Sequence, residues 1–234
     1  MSRILLSDLY DTVLKDGSFD FQRGMRYLYD LHFASRCSWE EFQEFENTFY
    51  PLYENRKIDN REISLMRDEV GPIFEKFGVT PPEDPEELEF EIMDHMQENT
   101  LLDEVRETLR ELARRGVPMY ILSNAVFSAK SARRILDRFG IDQYFIKVYS
   151  SADYGVRKPG RAFFDLAVEE ILAAHPDCKR EDILYVGNDY ITDVTGGMLA
   201  DLDTVWYNVN HLSDSDGLNA REIDDFRKLL EVME

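Results

Sequence analysis

Cysteine, tryptophan and positive charge are scarce in this 234-residue chain: two Cys, two Trp, and 27 Lys+Arg against 47 Asp+Glu. Cys37 and Cys178 allow one disulfide at most, so no disulfide framework holds the chain, and lone buried thiols are expected. A formal charge of −20 opposes phosphate backbones and anionic membrane surfaces, since both need clustered Lys and Arg. Long apolar runs are missing too. Stretches such as Ile4–Leu6 and Tyr120–Leu122 fall far short of the ~20 residues of a membrane span. The first of them meets Asp8 too soon for a signal peptide. His32, His95, His175 and His211 lack paired zinc spacing, and there is no GxGxxG or P-loop. At 44% hydrophobic and 12% aromatic, the chain is too apolar for a disordered acidic tail. These exclusions leave a soluble, cytoplasmic globular protein, with a small molecule as its partner rather than nucleic acid or membrane.

Five short runs read as strands: Arg3–Ser7, Val117–Leu122, Phe145–Tyr149, Ile183–Val186 and Thr204–Tyr207. Their interiors show little polar alternation, which suits strands buried on both faces of a parallel sheet. Amphipathic helical stripes lie between the later ones. Leu101, Val105, Leu109 and Leu112 form one; Ala132, Ile135, Leu136 and Phe139 form another, closed by Gly140; Phe163, Phe164, Ala167, Val168 and Ile171 form a third. This alternation predicts an α/β, doubly wound parallel sheet.

From Asp16 to Glu98 the rhythm changes, and only helical patterns are expected. Ser38-Trp39-Glu40-Glu41 is a capping box ahead of Phe42, Phe45 and Phe49, with Pro51 closing the segment. Asp84-Pro85-Glu86-Glu87 starts another helix, carrying Leu88, Ile92 and Met96. The expected division is a core of residues 1–15 and 99–234 with an inserted all-helical subdomain at 16–98. The insert holds 21 acidic and 8 basic residues, a net of −13, so it carries most of the total charge. Its aromatic stripe of Trp39, Phe42, Phe45 and Phe49 reads as bundle core, while Tyr50 and Tyr53 flank Pro51 and are candidates to reach the cleft. The C-terminal pattern Ile223, Phe226, Leu229 and Leu230 reads as an amphipathic helix.

In open α/β sheets, ligands sit beyond the C-terminal strand ends. Asp8, Tyr10, Asp11 and Thr12 follow the first expected strand, and Ser123 and Asn124 the second. Lys158 lies beyond the third, in Gly155-Val156-Arg157-Lys158-Pro159; Asn188, Asp189 and Asp193 follow the fourth. Singly, each has an ordinary reading as a cap, a turn or a surface loop. Their order on consecutive strands is the signal.

That order resembles the haloacid dehalogenase (HAD) superfamily of hydrolases. SDLYDTVL is similar to its first motif, with Asp8 as nucleophile; YILSNA to the second, ending in Ser123; GVRKPGRAFF to the third, with Lys158; ILYVGNDYITDVTGG to the acidic fourth. The resemblance implies a Rossmannoid core with a helical cap, a covalent aspartyl intermediate and Mg²⁺ held by Asp8, the Tyr10 carbonyl and Asn188, Asp189 or Asp193. Thr12, Ser123, Asn124 and Lys158 would bind the transferring group. The chemistry agrees: carboxylate attack on an anionic phosphoryl group needs positive charge and hydrogen-bond donors to offset the repulsion.

One slot departs from the phosphatase pattern. Where those enzymes carry a second Asp as general acid and base, this chain has Tyr10, which resembles the 2-haloacid dehalogenases instead. A phenol with a pKa near 10 is a poor base at neutrality, whereas halide leaves without protonation. The retained fourth-motif carboxylates favour a metal. The expectation is therefore a Mg²⁺-dependent phosphatase of a small phosphorylated metabolite, with a 2-haloacid dehalogenase or a catalytically degenerate binding protein as alternatives. An acidic lid would disfavour polyanionic substrates.

Overall fold

The computed structural model describes residues 3–213, 217 and 220–234. Among them the strands are β1 (Ile4–Ser7), β2 (Lys15–Phe19), β3 (Gln97–Thr100), β4 (Met119–Ser123), β5 (Lys147–Ser150), β6 (Ile183–Gly187), β7 (Asp203–Tyr207) and β8 (Arg221–Ile223). Six of these form one parallel sheet in the order β5-β4-β1-β6-β7-β8. The protein is thus an α/β fold with a doubly wound sheet. The absence of polar alternation has the expected cause: successive residues serve two cores. Leu5, Ile121, Leu184 and Val205 face one side; Leu6, Leu122, Ile183 and Tyr185 face the other.

Helices α1 (Phe21–His32), α2 (Trp39–Glu46), α3 (Tyr50–Asn55), α4 (Gly71–Lys76) and α5 (Pro85–Met96) lie between β1 and β4, followed by α6 (Asp103–Arg114). Then come α7 (Ala129–Arg138), α8 (Ser151–Tyr154) and α9 (Arg161–Ala174). The stripes of α6 and α7 pack on the first face, that of α9 on the second. Both cap signals hold. Ser38 and Glu41 make the reciprocal capping box at the start of α2, worth about 1 kcal/mol. Asp84 accepts from the backbone N–H groups of Glu86 and Glu87, with proline in the first turn of α5. Gly140, with φ +67°, follows the end of α7, and Cys37 and Cys178 are both free thiols.

Three expectations fail, each for a physical reason. The stretch read as purely helical is bounded by strands, because β2 and β3 pair antiparallel where the insert leaves and rejoins the core. Their sequences, KDGSF and QENT, carry no apolar alternation because the ribbon is largely exposed. Pro51 opens α3 rather than closing the segment before it, a position where its missing N–H is harmless. Ile223 belongs to β8 at the sheet edge, not to a C-terminal helix. No helix among the described residues is long and apolar enough to cross a membrane.

The insert's acidic surplus has a partial counterweight in the core. Glu86, Glu87 and Asp94 of α5 pair with Lys130, Arg134 and Arg138 of α7. Glu89, buried between the same helices, accepts from the Ser128 backbone N–H at 3.1 Å and from the Ser131 hydroxyl at 2.6 Å. A carboxylate at the start of α7 is also favoured by the helix dipole.

Candidate active site

The ends of β1, β4 and β6 bring the candidate residues to one edge of the sheet. Asp8 follows β1 directly, and its backbone N–H donates to the Val186 carbonyl of β6 at 2.8 Å, which fixes the carboxylate's starting point. Lys158, 1% exposed, donates from Nζ to Asp8 Oδ1 and Asp193 Oδ1, each at 2.6 Å, and to the Tyr185 hydroxyl at 2.9 Å. Tyr185 in turn donates to Asp193 Oδ1 at 2.6 Å. Two carboxylates sharing one ammonium would repel each other without it, so removing the lysine would leave uncompensated buried charge.

The loop carrying Lys158 is held by its backbone. The Asn124 side chain donates to the Lys158 carbonyl at 2.9 Å and accepts from its N–H at 2.8 Å. Gly187 leaves room for Asp193, since a Cβ there would fall 2.3 Å from the Asp193 Cγ. Burial, reinforced by Asp193, pushes the Asp8 pKa up against the pull of Lys158. Burial alone would lower the pKa of Lys158, but Asp193 and Asp8 outweigh it and keep the ammonium charged.

On the other side of Asp8, the Thr12 hydroxyl lies 3.2 Å from both Asp8 Oδ2 and Asn188 Oδ1, bringing those two oxygens to one place. Ser123 ends β4 with its hydroxyl buried and without a hydrogen-bond partner among the described residues. A buried donor left open costs free energy unless a ligand completes it.

The acidic fourth motif departs from the expected ligand set. Asp193 commits Oδ1 to Lys158 and Tyr185 and Oδ2 to the Asp189 N–H at 2.9 Å. Asp189 is exposed and caps the widened helical turn that follows, accepting from Ile191 and Thr192. The pair therefore does not face Asp8 together: one carboxylate positions the lysine and the other stabilises a turn. Among the described residues no group of three or more His, Cys, Asp or Glu is placed to hold a metal ion. The Asn188 side-chain oxygen, which meets Asp8 Oδ2 at the Thr12 hydroxyl, remains beside Asp8.

Tyr10 has its hydroxyl on the ribbon, where it accepts from Gln97 Nε2 of β3 at 3.3 Å. Burial raises its pKa above the ordinary phenol range, so it is neither a base nor a strong acid at neutral pH. Asp11 points away: it is exposed, adopts φ +56° and accepts from the Asp16 N–H at 3.1 Å.

Tyr185 and the Glu62 cluster escaped the sequence reading. A tyrosine inside the apolar run ILYV was the available signal, because a buried hydroxyl needs a partner. Glu62, from the insert, accepts from Arg56 at 3.0 Å and Ser151 at 3.1 Å, and pairs with Arg157 at 3.4 Å. Its backbone N–H reaches the Gly155 carbonyl, and that of Arg157 reaches the Asn60 carbonyl, both at 3.1 Å. The insert thus lies directly along the lysine loop.

A family model for haloacid dehalogenase-like hydrolases matches residues 3–201. The chain is 27% identical over 204 residues to the pyrimidine 5′-nucleotidase YjjG of Escherichia coli, covering 86% of this chain and 85% of that protein. It is 30% identical over 105 residues to (S)-2-haloacid dehalogenase 2 of a Pseudomonas species, covering 45% of this chain and 42% of that one. The magnesium-bound HAD-hydrolase YfnB of Bacillus subtilis shares the fold, with a TM-score of 0.61 at 22% identity, covering 100% of this chain and 99% of that one.

Proposed function

The chain belongs to the haloacid dehalogenase-like hydrolases, and from that premise we propose a Mg²⁺-dependent phosphatase of a small phosphorylated metabolite, with Asp8 as covalent nucleophile. The observation that carries this reading is the Ser123 hydroxyl, buried and unpartnered, on the strand beside Asp8 and its bound lysine. It suits a phosphoryl oxygen. An Asp8 oxygen forms a bond to phosphorus while the ester oxygen departs with its electron pair. Water then hydrolyses the aspartyl phosphate, releasing phosphate and restoring Asp8.

Within that reaction Lys158 neutralises charge on Asp8 and on the phosphoryl group, and Asp193, Tyr185 and Asn124 position it. Ser123 and the Asn124 backbone N–H donate to the transferring oxygens. Thr12 orients Asp8 Oδ2. Asp8, Asn188 and the Tyr10 carbonyl would hold Mg²⁺, which when bound supplies further positive charge beside the phosphoryl group. One carboxylate with neutral oxygens suits an ion that also takes oxygens from substrate phosphate and water. Residues 16–98 act as the cap, closing over the core of 1–15 and 99–234 through Glu62 and its arginines. The phosphatase names among the curated relatives support this choice.

Tyr10 favours a second reading, 2-haloacid dehalogenation, in which the leaving halide needs no proton. Purified protein given an aryl phosphate with Mg²⁺, and separately 2-chloropropionate, each beside Asp8→Asn, separates the two. Phosphate release that requires Asp8 is the expected result. Halide release that persists in EDTA, without phosphate release, would establish the dehalogenase. A degenerate binding protein would turn over neither, yet would melt higher with Mg²⁺ and a phosphate mimic.

A further inference from the structure

Glu62 of the insert is buried, 5% exposed, beside the loop that carries Lys158. A carboxylate in such a place needs partners, and these come from both sides of the boundary between insert and core. Arg56 at 3.0 Å and the Ile63 N–H at 3.2 Å belong to the insert. Arg157 at 3.4 Å and the Ser151 hydroxyl at 3.1 Å belong to the core. Arg157 is itself 8% exposed, and among the described residues Glu62 is the only acid within ion-pair distance of it. Each of these buried groups completes the other only while the insert is seated.

Both core partners stand next to the residues that would hold the transferring group. Arg157 precedes Lys158 in the chain. Ser151 Oγ accepts from the Ala125 N–H at 2.9 Å and lies 3.0 Å from the Ala125 carbonyl, two residues beyond Ser123. The backbone repeats this pattern. Arg61 and Val156 form an antiparallel bridge, flanked by the Glu62 and Arg157 N–H bonds across the boundary. A Cβ on Gly160, just past Lys158-Pro159, would fall 3.0 Å from the Asn60 Cβ. The Leu65 N–H donates to the Val126 carbonyl at 2.9 Å. Residues 60–65 thus touch the lysine loop on both sides of Lys158 and the serine loop just beyond Ser123. Asn124 then ties the two loops to each other through its paired bonds with the Lys158 backbone. A shift of the insert would reach both donors together.

We propose that Glu62 is a positioning residue for the phosphoryl site: it holds the Lys158 and Ser123 loops in register, so that the anion-binding donors are complete only with the insert seated. The assignment rests on the phosphatase reading and adds to it a residue that touches no reacting atom. Lys158 and Ser123 matter most as charge develops on the phosphoryl oxygens, so lost register is felt in kcat more than in KM.

The test is steady-state kinetics on an aryl phosphate with Mg²⁺, each variant being assayed well below its melting temperature. Glu62→Gln keeps the side chain's shape and removes its charge, and Ser151→Ala removes only the tie to the serine loop. Glu87→Gln is the control, because Glu87 pairs the insert with Arg134 of α7 instead. Glu62→Gln should lower kcat about 10- to 100-fold and change KM less than about threefold, while Glu87→Gln changes both less than about twofold. The Glu62→Gln/Arg157→Gln double variant should be no slower than the slower single variant, because the pair acts as one unit. Losses that multiply, or a folded Glu62→Gln protein with unchanged kcat, would overturn the proposal. A Glu62 that only stabilised the fold would give that second result with a lowered melting temperature. If Glu62→Gln does not fold, Ser151→Ala decides: a lowered kcat at similar KM supports the proposal, and an unchanged kcat sinks it. If the natural protein hydrolyses no phosphomonoester, the phosphatase reading fails separately, and amide hydrogen exchange decides the positioning. Glu62→Gln should then speed exchange at the Ala125 and Lys158 N–H groups by about tenfold or more, with the β1 amides unchanged. Neither group bonds to Glu62, so equal rates in both proteins would leave the insert without a hold on the two loops and would end the proposal.

Discussion

At the sheet edge two buried carboxylates, Asp8 and Asp193, share the Lys158 ammonium at 2.6 Å each, whereas in the insert Glu46 accepts from the Gln22 amide and Glu69 from the Tyr53 phenol. In the first region charge is balanced by a fixed cation; in the second, burial pushes both carboxyls up. Burial, against the Tyr53 hydrogen bond, pushes the Glu69 carboxyl up to about 8, and Glu46 is raised for the same reason. Burial still pushes Asp8 up to about 7 against Lys158, so the nucleophile should lose its charge as pH falls through that value, while the insert should loosen as Glu69 ionises with rising pH.

Lys158→Met attacks the rigid side of this contrast most directly. It should cost about 3–5 kcal/mol of stability, because two buried carboxylates lose their common partner. It should also lower phosphatase turnover by on the order of 10³. Chemical denaturation and steady-state kinetics measure both; a stable, active Met variant would mean that the carboxylates are balanced elsewhere. Tyr10→Asp tests what the edge lacks. A carboxyl able to protonate a poor leaving group should raise turnover of alkyl phosphates about 10²-fold, and that of aryl phosphates much less. Equal gains for both would show that leaving-group protonation is not the missing element.

Asn188→Asp adds charge to the oxygen set beside Asp8 and should lower the Mg²⁺ concentration for half-maximal activity by about tenfold, while EDTA should abolish turnover of either form. The smallest effect belongs to the insert. Glu69 in the folded protein holds its proton to about pH 8 against an ordinary value of 4.5. Its stabilising contribution is therefore complete below about 4.5 and is lost as pH rises through about 8. Glu69→Gln, which cannot ionise, should melt close to the natural protein at pH 5 and above it by roughly 2–4 °C at pH 8.5. A gap that shrinks on raising the pH would contradict the proton-holding picture.

The same contrast explains what could be read from the sequence. The buried strands β1, β4 and β6 announce themselves as apolar runs, and the polar residues at or just past their ends, Asp8, Ser123 and Asn188, follow from sheet geometry. Lys158 was placed by a motif on a loop, and the structure brings it to Asp8. The ribbon β2/β3 and the edge strand β8 stayed hidden because pairing rather than burial holds them, so KDGSF, QENT and REI carry no period. Roles at the fourth motif were equally invisible. Whether Asp193 reaches a metal or the lysine depends on a Gly187 that admits close approach and on the Tyr185 hydroxyl, both from β6. The insert's charge looked like a uniform acidic lid, yet three of its carboxylates lie against α7, whose cations come from a distant part of the chain.

Without a base at Tyr10, hydrolysis of the aspartyl phosphate should be slower than its formation, so the intermediate should accumulate. Rapid mixing of the protein with an excess of aryl phosphate and Mg²⁺ tests this directly. The expected record is a burst of about one aryl alcohol per protein molecule, followed by slow phosphate release, with phosphate recovered on Asp8 and no burst from Asp8→Asn. Halide released from 2-chloropropionate at the same site in EDTA, with no burst and no phosphorylated Asp8, would contradict it.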